Sequence, residues 1–500
     1  MAGKKKAANK GLVITLFILI AIFLALVAIL LAVVFSDGMK SGQFDLTPSP
    51  EATSEAVPTK NAENTKKPAT PTSTGKITAT TAPTATYTPI PTDTPTPTPT
   101  EAPSVMSNMS SAVDASAGAR YDELAASGAQ VACEFKDAGY YVSALFTVTK
   151  DGVSKLVPVV YVKETGEEIK GSAAFRESYL AVVKERLQEY VKSVDDVLKK
   201  SDFVKYSTPY RAEDYDMFYI DGDKVVFCFG EDSLIDTPHK SFTYSVELSE
   251  AEPFLYVKTS GESTLPDIRT DLDPTKPMVA FTYDDGAYAF VEERLLELFK
   301  QYDARATFFT LGNRVHEWDG YYDVTLRALC DIGCEISSHT YGHYYFYDES
   351  YFDEEKDLEK YWQEINKSTM AIAEITGRAP SYIRMPGGCY SAYMENSPYP
   401  MINWSVDTHD WDKKGRKEQK KVDGKYVYDP RNEQETYDVL MKAKDGDIVL
   451  MHSLYHWSYD ATERAMAELS AQGYQFVTVS ELFYYKGITP ENGVLYTKGY

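Results

Sequence analysis

The sequence predicts an α/β domain of parallel strands and covering helices at its C-terminal end. Ahead of it stand a small α+β accessory domain, a disordered Thr/Pro stalk and one transmembrane helix. Three observations carry this. From Met278 onward short apolar runs alternate with longer amphipathic stretches, as parallel strands joined by crossover helices do, whether the sheet stays open or closes into a barrel. Residues 46–103 are mostly Thr, Pro, Ala and Ser. Leu12 to Phe35 runs apolar without a charge.

A chain of 500 residues exceeds one ordinary domain, so two folded units plus extensions are expected. A formal charge of −23 argues against nucleic acid as a partner, because a phosphate backbone needs a basic surface. The five cysteines are Cys133, Cys228, Cys330, Cys334 and Cys389, too few for a disulfide scaffold at this length. Cys330 and Cys334 flank Asp331-Ile332-Gly333. They suggest a bridge or half a metal site, but two small apolar residues at a helix-to-strand turn is the favoured reading.

In chain order, residues 1–11 carry Lys4, Lys5, Lys6 and Lys10 and no acid, which keeps this end cytoplasmic. Residues 12–35 suffice to cross a bilayer core of about 30 Å. They exceed the apolar core of a cleavable signal, roughly 7–15 residues. An uncleaved anchor in the cell membrane follows, with everything after Ser36 outside. Residues 36–105 make an extended stalk, since their composition cannot bury a core. Residues 106–265 read as the accessory domain. Tyr140–Val148 and Leu156–Val162 form a hairpin around Lys150-Asp151-Gly152. Leu180, Val183, Leu187, Val191, Val194 and Leu198 share one helix face. A second hairpin joins 217–220 to 225–229, and Phe242–Val246 adds a strand. His239 reads as an isolated surface residue. Pro266 to Lys276 is a shorter linker within the last domain, 266–500. That domain has expected strands at 278–284, 306–311, 334–338, 382–385, 401–406, 447–451 and 475–478. Its expected helices are 289–302, 321–332, 354–376, 434–443, 460–472 and 479–485.

The candidate chemistry sits where those strands end. Asp284-Asp285-Gly286 places two carboxylates side by side, which repel unless a metal, an arginine or a shared proton holds them; a plain turn is the alternative. His339 and His343 stand at i and i+4, a spacing that lets both imidazoles face one ion on a helical turn. With one Asp of the pair they form a two-His, one-carboxylate set suited to Zn²⁺ or another divalent metal that activates water. Arg384, in Arg384-Met385-Pro386-Gly387-Gly388, can pair with whichever Asp is not the ligand, unless it is an ordinary surface residue. Asp407-Thr408-His409-Asp410-Trp411 adds two carboxylates and a large aromatic. The strand Ile448–Met451 runs into His452, which can donate a proton if a carboxylate tunes it.

Taken in order, TYDDG, HTYGH, RMPGG, DTHDW and LMH resemble the five motifs of the NodB-type polysaccharide deacetylases, carbohydrate esterase family 4, over roughly residues 275–485. The resemblance implies a distorted (β/α) barrel and hydrolysis of an N- or O-acetyl group on a polysaccharide. It implies a divalent metal, usually Zn²⁺, with Co²⁺ or Mn²⁺ as alternatives. By the same resemblance Asp285, His339 and His343 hold the metal, and Asp284 is the general base, oriented by Arg384. Asp410 tunes His452, the general acid. Trp411, Leu450 and the backbone of Gly387 meet the substrate. Two departures are visible. Tyr283 stands where Phe is usual, with little effect expected. Gly387 stands where an aromatic is common, which removes one wall of the groove. His409 reads as solvent-facing. Lys413 to Lys425 reads as a solvated insertion loop, with contact to an anionic wall polymer as the other reading. FYIDGDKVVFCF followed by SFTYSVELSE resembles the accessory domain that precedes the catalytic domain in some cell-wall deacetylases. The expectation is a membrane-anchored extracellular enzyme acting on N-acetylglucosamine of peptidoglycan. Chitin-type oligomers, exopolysaccharide and acetylxylan are alternative substrates. An inactive wall-binding or sensor protein is the alternative of another class.

Overall fold

The computed structural model describes residues 107–194, 211–230, 241–315, 321–346 and 354–499. The expected tail, anchor and stalk, together with His239 and Leu198, lie outside these residues. No helix among the described residues is long and apolar enough to cross a membrane.

Helix Ser111–Ala125 precedes a four-stranded antiparallel sheet of β1 (Gln130–Ala138), β2 (Tyr141–Lys150), β3 (Val153–Val162) and β4 (Glu168–Ile169), in that order. β2 and β3 are the expected hairpin. Its two turn residues, Asp151 and Gly152, take φ of 52° and 78°, the left-handed pair that a two-residue hairpin turn needs. Neither the helix nor β1 was anticipated. β1 has no fully buried residue, though Val131, Cys133 and Phe135 alternate along it and pack against the core of this sheet. A second antiparallel sheet joins β5 (Phe218–Asp221), β6 (Lys224–Phe229) and β7 (Phe242–Glu247). Helix Glu177–Val194 buries Leu180, Val183 and Leu187 in a core shared with Phe218 and Phe227. Ala373 and Ala379 belong to the same core. The α+β part therefore packs directly against helix Glu354–Thr376, where Asn366 Nδ2 donates to Glu185 Oε2 at 2.7 Å. The expected linker is strapped down as well, since Arg269 pairs at 2.8 Å with fully buried Glu481.

The larger sheet is parallel, in the order β10 (Glu335–Ser338), β9 (Thr307–Thr310), β8 (Met278–Gly286), β15 (Ile448–His452), β12 (Val406–Asp407). β16 (Gln475–Phe476) pairs with the start of β8. β8 is buried along nearly its whole length, as a central strand covered on both faces must be. Expected strand 382–385 shrinks to a bridge at Ile383, between Ser338 and Met401. Expected strand 401–406 splits into β11 (Met401–Ile402) and β12, because the chain turns aside at Asn403, whose N–H donates at 2.8 Å to Tyr496 of β17 (Leu495–Tyr496). One short segment thus serves both ends of the sheet. Ile402 N–H reaches Ile383 O at 2.9 Å, and Ser405 N–H reaches Ile448 O at 3.0 Å. Residues 413–425 are not the expected loop but a tethered hairpin, β13 (Lys420–Val422) and β14 (Lys425–Val427).

The covering helices are Ala289–Tyr302, Tyr321–Asp331, Glu354–Thr376, Pro430–Leu440, His456–Ala471 and Val479–Lys486. Helix Pro430–Leu440 begins four residues before its expected start of 434. Asp429 caps it by accepting Arg431 N–H at 3.0 Å, and Pro430 occupies its first position, a start signal that outweighs the polar surface behind it.

Candidate active site

Adjacent side chains of a regular strand point to opposite faces, so Asp284 and Asp285 can face one site only if the strand breaks between them. It does. Asp285 takes φ 66°, and the register of β8 against β9 shifts between Asp284 and Gly286. Both carboxylates then approach the same imidazole: Asp284 Oδ2 and Asp285 Oδ1 lie 3.6 and 3.4 Å from His339 Nε2. A Cβ at Gly286 would overlap the Glu292 carboxylate and come within 3.2 Å of Ser453 Oγ, so those two buried side chains would have to give way.

Glu292 is a residue the motif reading missed. It sits among Ala289, Leu295 and Phe299 on the buried face of its helix, and its Oε1 accepts from Ser453 Oγ at 2.9 Å. Burial pushes its pKa up to about 7. The signal available was an acid on an otherwise apolar helix face.

Arg384 is no surface residue. It is fully buried and holds Asp284 Oδ1 at 2.6 Å. Its remaining donors reach Thr282 Oγ1 at 2.8 Å, Ile402 O at 2.9 Å and Asn403 O at 3.2 Å. Its guanidinium lies 4.0 Å from the centre of the Phe309 ring. The cation is thus satisfied by one charge and several dipoles, which is what burying it requires.

His339 and His343 come together through a loop rather than a helical turn, with Thr340 and His343 at φ 68° and 60°. His343 Nε2 is 3.2 Å from Asp285 Oδ1. The three candidate ligand atoms lie within 4.8 Å of one another. His339 Nδ1 lies 2.8 Å from the Arg384 carbonyl, which can only accept, so that nitrogen carries the proton and Nε2 presents a lone pair. Asp285 Oδ1, buried and without a hydrogen-bond partner, faces it. Acceptor against acceptor is repulsive without a cation between them. Ligands about 2.0–2.2 Å from a tetrahedral Zn²⁺ lie roughly 3.3 Å apart, close to the two separations seen. These residues fit a divalent metal.

β15 pairs with β8 so that His452 stands level with Asp284. Asp410 is fully buried beside it. Its Oδ1 lies 2.8 Å from His452 Nδ1, and its Oδ2 accepts from His452 N–H at 2.8 Å and from Ser458 Oγ at 2.6 Å. This leaves His452 Nε2 as the outward nitrogen. Burial draws the imidazole pKa down, but Asp410, with Asp285 and Asp284 behind it, raises it to about 9.

At the rim, Trp411 is 41% exposed and donates to Asp407 Oδ1 at 3.3 Å, as a groove wall open to a ligand would be. Leu450 is buried in β15. Gly387 takes φ 66° in the tight turn Pro386–Gly388. His409 is exposed, as expected. The Tyr283 hydroxyl is absorbed by the core, 3.2 Å from Thr462 Oγ1. Cys330 and Cys334 are free thiols, and burial pushes both pKa values up to about 12. This fits the favoured reading of two small apolar residues at a helix-to-strand turn.

Residues 271–398 match the family model described as Polysaccharide deacetylase. That span holds Asp284, Asp285, His339, His343 and Arg384; Asp410 and His452 follow it. Over 212 residues the chain is 31% identical to Peptidoglycan-N-acetylmuramic acid deacetylase PdaC of Bacillus subtilis, covering 42% of this chain and 40% of that protein. Over 211 residues it is 31% identical to Peptidoglycan-N-acetylglucosamine deacetylase PgdA of Listeria monocytogenes, covering 42% and 39%. The chain thus spans about two-fifths of the length of these relatives. A solved structure of peptidoglycan deacetylase PdaC from Bacillus subtilis is 30% identical, with 43% of this chain and 94% of that chain covered and a TM-score of 0.36.

Proposed function

Because this chain carries a domain of the polysaccharide deacetylase family, we propose that it hydrolyses acetyl groups from N-acetylglucosamine residues of a cell-wall polysaccharide, peptidoglycan first. The observation that carries this is the convergence, at the carboxyl ends of β8, β10 and β15, of a cation-demanding Asp285–His339–His343 set, an Arg384-held carboxylate and a carboxylate-held imidazole. A divalent metal bound by the first three, Zn²⁺ foremost, would polarise the acetyl carbonyl and lower the pKa of water. Asp284 accepts the proton of the attacking water, and Arg384 holds and orients it for that purpose. As the C–N bond breaks, His452 Nε2 gives its proton to the leaving amine, while Asp410 fixes the tautomer from the other side. Acetate and a free amine result.

In this reading the sheet, whose two ends share the segment 401–407, is a distorted (β/α) barrel. Residues 12–35 anchor the protein in the cell membrane, and residues 36–105 hold the folded part out at the wall. Protease treatment of intact cells is expected to release a fragment containing residues 107–500; complete protection would reverse the orientation.

The function is tested by acetate release from peptidoglycan, chitin oligomers and acetylxylan side by side, with and without a chelator. Release from peptidoglycan that stops on chelation is expected. Binding to peptidoglycan without acetate from any polymer would replace the enzyme with an inactive wall-binding protein.

A further inference from the structure

We propose that the basic hairpin at residues 413–427 is a docking surface for a glycan strand that carries carboxylates, laid along the rim of the candidate active site. This names the substrate class of that same site and rests on the deacetylase reading. Residues 413–425 hold seven Lys and Arg against two acids, in a chain whose formal charge is −23. A merely solvated loop would be free to move; this one is fastened at several points. Lys413 is buried and lies 3.4 Å from Glu435, which Arg416 also holds at 2.8 Å. Asn432 Nδ2 donates to Arg416 O at 2.7 Å. Gln419 bridges to the other wall, donating to Leu454 O at 3.0 Å and accepting from His456 N–H at 3.1 Å. The Tyr426 ring stacks 3.4 Å from that of His456. Asp423 and Gly424 close the hairpin at φ 48° and 80°.

These anchors decide where the charge lies. The segment leaves the site just after Asp410 and Trp411, and it is pinned to the residues that directly follow His452. The tethering side chains face inward, and four of the five remaining cations face out, Lys417 being half-buried. Lys414, Lys420, Lys421 and Lys425 are all exposed. Lys420 lies 2.7 Å from Glu418, whereas Lys414, Lys421 and Lys425 have no carboxylate at ion-pair distance among the described residues. Self-repelling charge held on a fixed ribbon beside the proton donor is complementary to a polymer with carboxylates near its acetamido groups, such as the stem-peptide carboxyls of peptidoglycan. A neutral chitin or xylan chain gains nothing from it. Each exposed pair is weak and screened within about 8 Å at physiological salt, so the effect comes from several acting together.

The test uses the full chain and a variant with Lys414, Lys420, Lys421 and Lys425 all changed to Gln. The probes are soluble peptidoglycan strands with free stem-peptide carboxyls and neutral chitin oligomers. The preference for the anionic strand, as the ratio of kcat/KM values, is expected to fall on the order of tenfold through KM. In the unaltered protein the same ratio is expected to fall as salt rises. An equal loss on both substrates, or a salt-independent ratio, overturns the proposal. If neither polymer yields acetate, the deacetylase reading fails, and cosedimentation with sacculi decides the hairpin separately. Weaker binding by the variant supports the docking surface; equal binding overturns it. Sacculi stripped of phosphodiester polymer are expected to retain binding; loss on stripping assigns the surface to phosphate instead and overturns the carboxylate assignment.

Discussion

Asp284→Asn is expected to lower acetate release by about 10²–10⁴-fold, the range lost with a general base. The substitution keeps the shape and an acceptor oxygen for Arg384, but it removes the group that takes the proton. It also leaves a fully buried guanidinium without its counter-charge, whose bond to Asp284 Oδ1 is 2.6 Å. Breaking a buried pair from one side costs up to about 3–5 kcal/mol. Here the cost should be smaller, because Thr282 Oγ1 and the carbonyls of Ile402 and Asn403 still accept from Arg384. The expected result is a folded protein with unchanged far-UV circular dichroism, a lower Tm and almost no turnover. Undiminished turnover would remove Asp284 from the role of base.

Asp410→Asn is expected to act through pH. His452 has its pKa raised from 6.5 to about 9 because Asp410, then Asp285 and Asp284, overcome the opposite effect of burial. A folded-state value above the unfolded one means that protonated His452 favours the native state. That stabilisation is fully present below about pH 6.5 and is lost as pH rises through about 9. With Asp410 neutral, the loss is of order 3 kcal/mol or less near pH 6 and small above about pH 9. Urea titrations at the two pH values measure it. The same change should move the alkaline limb of the kcat/KM profile to lower pH, since the imidazole that must arrive protonated gives up its proton earlier. An unmoved limb would show that Asp410 does not tune the acid.

Much of this protein was legible from its sequence where the signal is short-ranged. Helices 289–302 and 354–376 carry an apolar face at helical spacing, and both stand where that spacing puts them. The residues of the candidate site were legible through the order of five short motifs, each at the end of an apolar run. β1 is an edge strand without a fully buried residue, although Val131, Cys133 and Phe135 alternate along it and pack on the core, and the hairpin 420–427 has only three residues in each strand, too short a run to stand out beside its lysines. Glu292 looked like one more charge on a helix because burial is not written in the residue itself.

Two adjacent carboxylates, two histidines, an arginine and a strand-end histidine follow from residue order alone, as does the alternation of strands and helices around them. The motif resemblance already divided the pair into a ligand and a base, but how both carboxylates reach one site is visible only in the tertiary structure. Adjacent residues on a strand face apart, and it is the left-handed turn at Asp285 that brings both toward His339. Arg384 lies 100 residues from Asp284 in sequence and 2.6 Å from it in space. That proximity is set by the register of parallel strands and the packing of helices between them, interactions that depend on the whole fold and leave no local period to read.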